Sequence, residues 1–259
     1  MGSIARLQDR LDRVRFARRL GFDPDPWQRD VLTSYDPRIL ILCSRQAGKS
    51  SVASILALHE VLSVPDSLVL ILAPSERQAR ETFQKVIGLY RKLGLYPGSD
   101  RKLGLELPNG SRIEALPASG DTIRGYSNVS LLLCDEAARI PDELFVAVRP
   151  MLAVSGGRMI WLTTPYTRSG VFFNEWVGEN PWMRIEVPAT QIPRISEEFL
   201  EEERRSMPER EYMREYMTSF IDAEGSVFRQ EDIEAALIDD DEEEMFPGGF
   251  QRWLSTSTV

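Results

Sequence analysis

The 259-residue sequence holds one histidine and two cysteines. A single histidine, His59, excludes a metal centre built from several histidines, and its place within a helical pattern predicts a surface position. Cys43 and Cys134 each close a short apolar run, a usage that fits a reduced, cytosolic compartment better than a disulfide framework. No apolar run approaches the ~20 residues that span a bilayer, and the N-terminus is charged rather than leader-like. Basic charge is also scarce: 31 Lys and Arg against 40 Asp and Glu leave a net charge of −9. Such a surface does not coat nucleic acid indiscriminately, although a local basic patch stays open. Much of the acid excess sits in DDDEEE (Asp239 to Glu244) and SEEFLEEERR (Ser196 to Arg205), which read as solvated surface or tail.

What is present is the balance of an ordinary soluble globular protein, 42% apolar and 27% charged. The length suits one α/β domain with an appendage. Apolar runs at Arg38 to Cys43, Ser67 to Ala73, Val129 to Cys134 and Met159 to Thr163 predict buried strands, with a weaker one at Met183 to Val187. Helical patterns follow the first two, from Gly48 to about Leu62 and from about Glu76 to Leu93. Uniformly apolar strands separated by helices predict a parallel sheet covered on both faces. Leu105 to Leu116 alternates around Asn109-Gly110, which predicts a hairpin. After Pro193 the pattern turns helical and charged, from Ser196 to about Phe220 with a break at Pro208, and again over Arg229 to Leu237. The expected organisation is therefore a core over 1–193, a small helical subdomain over 194–246, and a linker-like tail over 247–259.

The stretch ILILCSRQAGKSS (Ile39 to Ser51) is a strand, a loop and a helix start. It matches a phosphate-binding P-loop except that Cys43 stands where the first glycine belongs. Backbone N–H groups from Ser44, Arg45, Gln46, Ala47, Gly48, Lys49, Ser50 and Ser51 would cradle phosphates at the helix N-terminus. Lys49 is placed for the β- and γ-phosphates of ATP, and the Ser50 hydroxyl for Mg²⁺. A plain strand–turn–helix reads the same residues without a ligand. SLLLCDEAA (Ser130 to Ala138) adds a strand ending in Asp135 and Glu136. The first carboxylate suits the metal and the second suits a base for the attacking water, while two acids capping a following helix is the plainer alternative. Trp27 and Gln28 open a helix just before the first strand, and the Gln28 amide matches an adenine edge. Thr163 and Thr164 end another strand, where their hydroxyls can sense the γ-phosphate and couple its loss to movement.

In this order, PWQ, SRQAGKS, TIRGY (Thr122 to Tyr126), LLLCDEAA and LTTP resemble the ATPase domain of the large terminase subunit of tailed bacteriophages. The resemblance spans roughly residues 20–235. Terminases of this kind commonly omit the first P-loop glycine and carry an arginine within the loop, the place Arg45 takes here. The resemblance implies an additional-strand, RecA-like P-loop fold with the MIWLTT strand between the P-loop strand and the Asp-Glu strand. That strand would hold Cys43 and Cys134 too far apart for a disulfide. It also implies a lid subdomain and ATP hydrolysis with Mg²⁺, coupled to translocation of double-stranded DNA into a procapsid. Its expected partners are a portal protein, a small terminase subunit and other copies of the chain in a ring, in the host cytoplasm and away from membranes. An isolated fragment could remain monomeric. Complete terminases add a nuclease domain, for which no room is expected within this chain.

Candidate DNA contacts are Arg101, Lys102, Arg112 and Arg124, each equally readable as surface charge. Arg45 is expected to contact phosphate in its own subunit. Arg139 is expected to act on a neighbour, because the segment after the Asp-Glu strand is read as running away from its own P-loop. Two rivals remain at this stage. A superfamily 2 helicase-like translocase shares the Gln, P-loop and Asp-Glu elements but needs a second RecA-like domain. A nucleotide-gated assembly module would bind ATP with little turnover, and Glu136 argues against it.

Overall fold

The computed structural model describes residues 8–96, 102–118, 123 and 125–222. Residues through Ile221 belong to one compact unit. Two short helices, α1 (Arg13–Arg19) and α2 (Pro26–Thr33), precede strand β1 (Arg38–Cys43) and helix α3 (Lys49–Ser63). Then follow β2 (Leu68–Ala73), α4 (Glu76–Lys92), β3 (Gly104–Glu106), β4 (Arg112–Pro117) and β5 (Leu131–Asp135). A 3₁₀ turn at Ala137–Arg139 leads to α5 (Asp142–Val148), β6 (Arg158–Thr163), α6 (Gly170–Val177) and β7 (Met183–Val187). Helices α7 (Glu197–Ser206) and α8 (Glu209–Glu215) come last.

Among the described residues, seven strands form one sheet in the order β3-β4-β2-β5-β6-β1-β7. All neighbours pair in parallel except β3 with β4. The expected hairpin is this antiparallel pair, with Gly110 at φ +81° in its turn. The insertion of β6 between β5 and β1 is the strand order that the resemblance implies.

The apolar runs are continuous because both faces of the central strands are buried. Their period-2 alternation divides them between two cores. Ile39, Ile41, Val69, Ile71, Leu133 and Ile160 face the side covered by α1 to α4. Leu40, Leu42, Leu70, Leu132, Met159 and Trp161 face the side covered by α5 and α6. Cys43 lies on the first face and Cys134 on the second, with β6 between their strands. The two thiols thus point to opposite sides of the sheet, and both are free.

His59 corrects one expectation. It is buried rather than at the surface, at 6% exposure. Ten of the fifteen residues of helix α3 are buried, polar Ser54 and His59 among them, so its polar positions also face protein. The His59 ring meets the edge of Phe16 at 5.3 Å, and its Nε2 lies 3.1 Å from the Asp9 carbonyl. Burial, aided by the nearby Arg13 charge, lowers its pKa from 6.5 to about 4.

Among the described residues no helix is long and apolar enough to cross a membrane. Arg101, Thr122, Arg124, the 229–237 segment, the acidic run 239–244 and the tail 247–259 lie outside the described residues.

Candidate active site

Strands β1, β5 and β6 are neighbours that run in parallel, so their C-terminal ends meet at one edge of the sheet, where open α/β folds place ligands. A cleft of about 560 Å³ opens there. It is lined by Arg45 to Ser51 of the loop after β1, by Glu136 and Arg139 after β5, and by Thr164 after β6. Helix α4 contributes Arg77, Gln78 and Lys85. No periodic or motif signal in the sequence marks these last three. Five of the lining side chains are cationic and only Glu136 is anionic, on a chain of net charge −9.

The loop has the form its sequence predicts. Gly48 sits at φ +92° immediately before α3, a conformation that favours glycine. Lys49 is buried, and its ammonium lies 3.5 Å from the Ser44 carbonyl and 3.8 Å from Glu136 Oε1. Cys43 takes the glycine's place as the last residue of β1, fully buried. Burial raises its thiol pKa to about 12 against the opposing pull of Lys49, so it remains a neutral packing group.

The two acids at the end of β5 separate into different environments. Asp135 is buried and accepts from Thr82 Oγ1 at 2.7 Å and from the Glu136 N–H at 3.2 Å. Glu136 turns at φ +53°, in the left-handed region that side chains seldom adopt and that recurs at functional sites. One of its carboxylate oxygens faces Lys49 and the other accepts from Thr164 Oγ1 at 3.1 Å. Thr163 is buried and holds the turn instead: its hydroxyl accepts from the Ala138 N–H at 3.2 Å and donates to the Thr164 carbonyl at 2.8 Å.

Gln28, Arg45 and Arg139 each meet partners within the chain. Gln28 is fully buried, its Oε1 accepting from the Asp25 N–H at 2.8 Å and its Nε2 donating to the Ala47 carbonyl at 3.0 Å. Its amide therefore supports the phosphate loop and caps α2, and in this conformation it is not presented to a base. Trp27 is likewise buried in the core under the loop. Arg45 lines the cleft but is ion-paired with Glu215 at the end of α8, and its N–H donates to the Glu215 carbonyl at 3.2 Å. Arg139 lines the cleft of its own chain. The 3₁₀ turn carries it into the cleft, where its guanidinium lies over the Tyr166 ring at 4.6 Å. The 3₁₀ turn after β5, entered through Glu136 in the left-handed region, is not revealed by the sequence pattern.

Of the basic residues considered for DNA, Lys102 is ion-paired with Glu76 at 2.8 Å, and Arg112 is exposed on β4.

A family model described as terminase large subunit, T4likevirus-type, N-terminal, matches residues 40–235. The chain belongs to the terminase large subunit family. The large terminase subunit of Escherichia phage T5 is 29% identical over 80% of this chain and 50% of its own length. That of Thermus virus P23-45 is 24% identical over 83% of this chain and 52% of its own. The chain thus spans about half the length of the curated relatives it matches. Among solved structures, the ATPase domain of the Thermus phage P74-26 large terminase superposes with a TM-score of 0.69. It is 25% identical, and the match covers 80% of this chain and 97% of that one. The large terminase from another thermophilic bacteriophage, in complex with ADP, has the same fold, with a TM-score of 0.62 at 14% identity. That match covers 76% of this chain and 54% of the other. These are RecA-like P-loop ATPase domains, the architecture of the sheet described above.

Proposed function

We propose that this chain binds ATP in the cleft and hydrolyses it, and that the terminase containing it couples the hydrolysis to moving double-stranded DNA into a procapsid. The observation that carries the reading is the approach of Lys49 to Glu136 across the cleft, with Thr164 holding the second carboxylate oxygen. Phosphate oxygens take up the Lys49 charge, which leaves Glu136 free to accept a proton from the attacking water. Thr164 keeps the Glu136 carboxylate in place while this happens. The thermophilic phage terminase of the same fold, solved with ADP and with ATP-γ-S, makes nucleotide binding the natural reading of the shared fold.

A divalent cation fits the residues present. The Ser50 hydroxyl lines the cleft, while the Asp135 carboxylate, buried at the end of β5 and bonded to Thr82 and the Glu136 N–H, would reach the ion through a water; the described residues hold no cluster of three or more acidic, His or Cys ligands. Mg²⁺ characteristically takes one or two such protein ligands and completes its shell with phosphate and water. When bound it would neutralise phosphate charge.

DNA, the portal, the small subunit, further copies of the chain in a ring and action in the host cytoplasm at the procapsid belong to the same proposal. Arg112 is exposed for a DNA contact, and Lys102 would first have to leave Glu76. Titration with a fluorescent ATP analogue and phosphate release with Mg²⁺ and linear DNA test the reading. Wild-type chain that binds no nucleotide would sink it; binding without turnover would favour a nucleotide-gated assembly module.

A further inference from the structure

The phosphate loop is held from behind by a closed circuit of side chains that stays out of the cleft. Gln28 Nε2 donates to the Ala47 carbonyl at 3.0 Å, and Arg194 Nη2 approaches the same oxygen at 3.4 Å. Arg194 Nη1 lies 2.7 Å from both carboxylate oxygens of Asp25, and the Asp25 N–H donates to Gln28 Oε1 at 2.8 Å. Asp25, Gln28, Ala47 and Arg194 thus close a ring of interactions linking the start of α2, the loop and the segment after β7. Gly48 is fitted to this brace: a Cβ there would stand 2.8 Å from Gln28 Nε2. Neither Asp25, Gln28 nor Arg194 lines the cleft.

The peptide geometry gives the brace a consequence. In a trans peptide the carbonyl and the following N–H point in opposite directions. With the Ala47 oxygen drawn back toward Gln28 and Arg194, the Gly48 N–H is turned forward, toward the cleft that Gly48 lines. That N–H is one of the group that would meet a phosphate at the start of α3. The Arg194 charge also draws electron density onto the Ala47 oxygen, which polarises the shared peptide and strengthens its N–H as a donor.

We propose that Arg194 is a positioning residue of the phosphate site: with Asp25 and Gln28 it fixes the Ala47–Gly48 peptide, and so sets nucleotide affinity without touching base or phosphate. This rests on the ATP reading above. Because the brace acts through a loop amide, it serves any nucleotide carrying a β-phosphate, whatever its base.

The test is equilibrium binding of ATP, ADP and GTP to wild type, Arg194→Ala, Arg194→Lys and Asp25→Asn, with thermal melts confirming that each is folded at the assay temperature. Arg194→Ala should weaken all three nucleotides by a common factor of roughly tenfold, the scale of a charge-assisted hydrogen bond. Arg194→Lys should fall between, since a single ammonium cannot reproduce the planar fork across both partners. Asp25→Asn should weaken all three in the same proportion as one another. Adding it to Arg194→Ala should cost less than the product of the two effects, because both break one circuit. A folded Arg194→Ala chain with unchanged affinities overturns the proposal, as does loss confined to ATP, which would mean direct γ-phosphate contact. Loss for ATP and ADP but not GTP would make the brace a base reader and overturns it too. Wild type that binds none of the three overturns the ATP reading itself, whereas wild-type binding with an unaffected variant overturns this proposal alone.

Discussion

Lys49 Nζ stands 3.8 Å from Glu136 Oε1, so the cation proposed for phosphate and the carboxylate proposed for water face each other across the cleft. Under the proposed function a triphosphate would enter between them and take up the Lys49 charge. The two substitutions should therefore fail differently. Lys49→Ala should lose nucleotide affinity and turnover together, because the phosphates lose their counter-charge and Glu136 is left to repel them. Glu136→Gln should retain ATP affinity and lose turnover by ~10² or more, since an amide does not accept the proton. Titration with fluorescent ATP and phosphate-release assays separate the two, and a fully active Glu136→Gln would remove Glu136 from the base role.

Thr164 donates to the second oxygen of Glu136 at 3.1 Å. Thr164→Val keeps the shape and deletes the donor, so kcat should drop by ~10-fold while ATP affinity stays within about twofold. A larger change in affinity than in kcat would assign Thr164 to binding.

Arg139 lies in the cleft of its own chain, its guanidinium over the Tyr166 ring. Its effect should accordingly be felt within one chain. Arg139→Ala should reduce turnover by ~10², the usual weight of one transition-state charge contact, with ATP still bound. Mixing it with Lys49→Ala should restore nothing, because neither chain has both groups. Recovery of activity in the mixture would show that Arg139 crosses to a neighbour.

His59 couples folding to pH. Its pKa is about 4 in the fold against an ordinary 6.5, chiefly through burial, with Arg13 adding to the effect and the Asp9 and Arg10 backbone and the Asp12 charge opposing it. The lowered value means that the unfolded chain binds the proton more readily. Its contribution is therefore fully present above pH 6.5, declines as pH falls toward 4, and is flat below. The span is on the order of 3 kcal/mol. His59→Phe should flatten the stability curve between pH 6.5 and 4 relative to wild type in urea melts. Parallel curves for the two proteins would contradict the assignment.

Local pattern was enough to read the strands, the hairpin at Asn109-Gly110 and the phosphate loop, because each depends on residues close in sequence. Period-2 burial, a turn that needs φ > 0 and a helix start all leave their mark within a dozen residues. That Lys49 and Glu136 serve one site was legible too, as each follows a buried strand and such strands share an edge in a parallel sheet, but their approach to 3.8 Å was not.

What the tertiary structure alone decided are the contacts made across long stretches of chain. Asp135 takes its hydrogen bond from Thr82, 53 residues away, and the Ala47 carbonyl meets Arg194 across 147. Arg45 reaches Glu215 across 170 residues. The partners Thr82, Arg194 and Glu215 carry no local signature, because a polar or charged residue reads the same whether it faces water or a partner. His59 was misread for that reason, and the Asp25 and Ala47 partners of Gln28 went unforeseen: a residue's type states what it can bond to, but the packing of helices on the sheet determines which partner is within reach. The direction of Arg139 was set likewise, by one tight turn after Glu136 that no periodicity records.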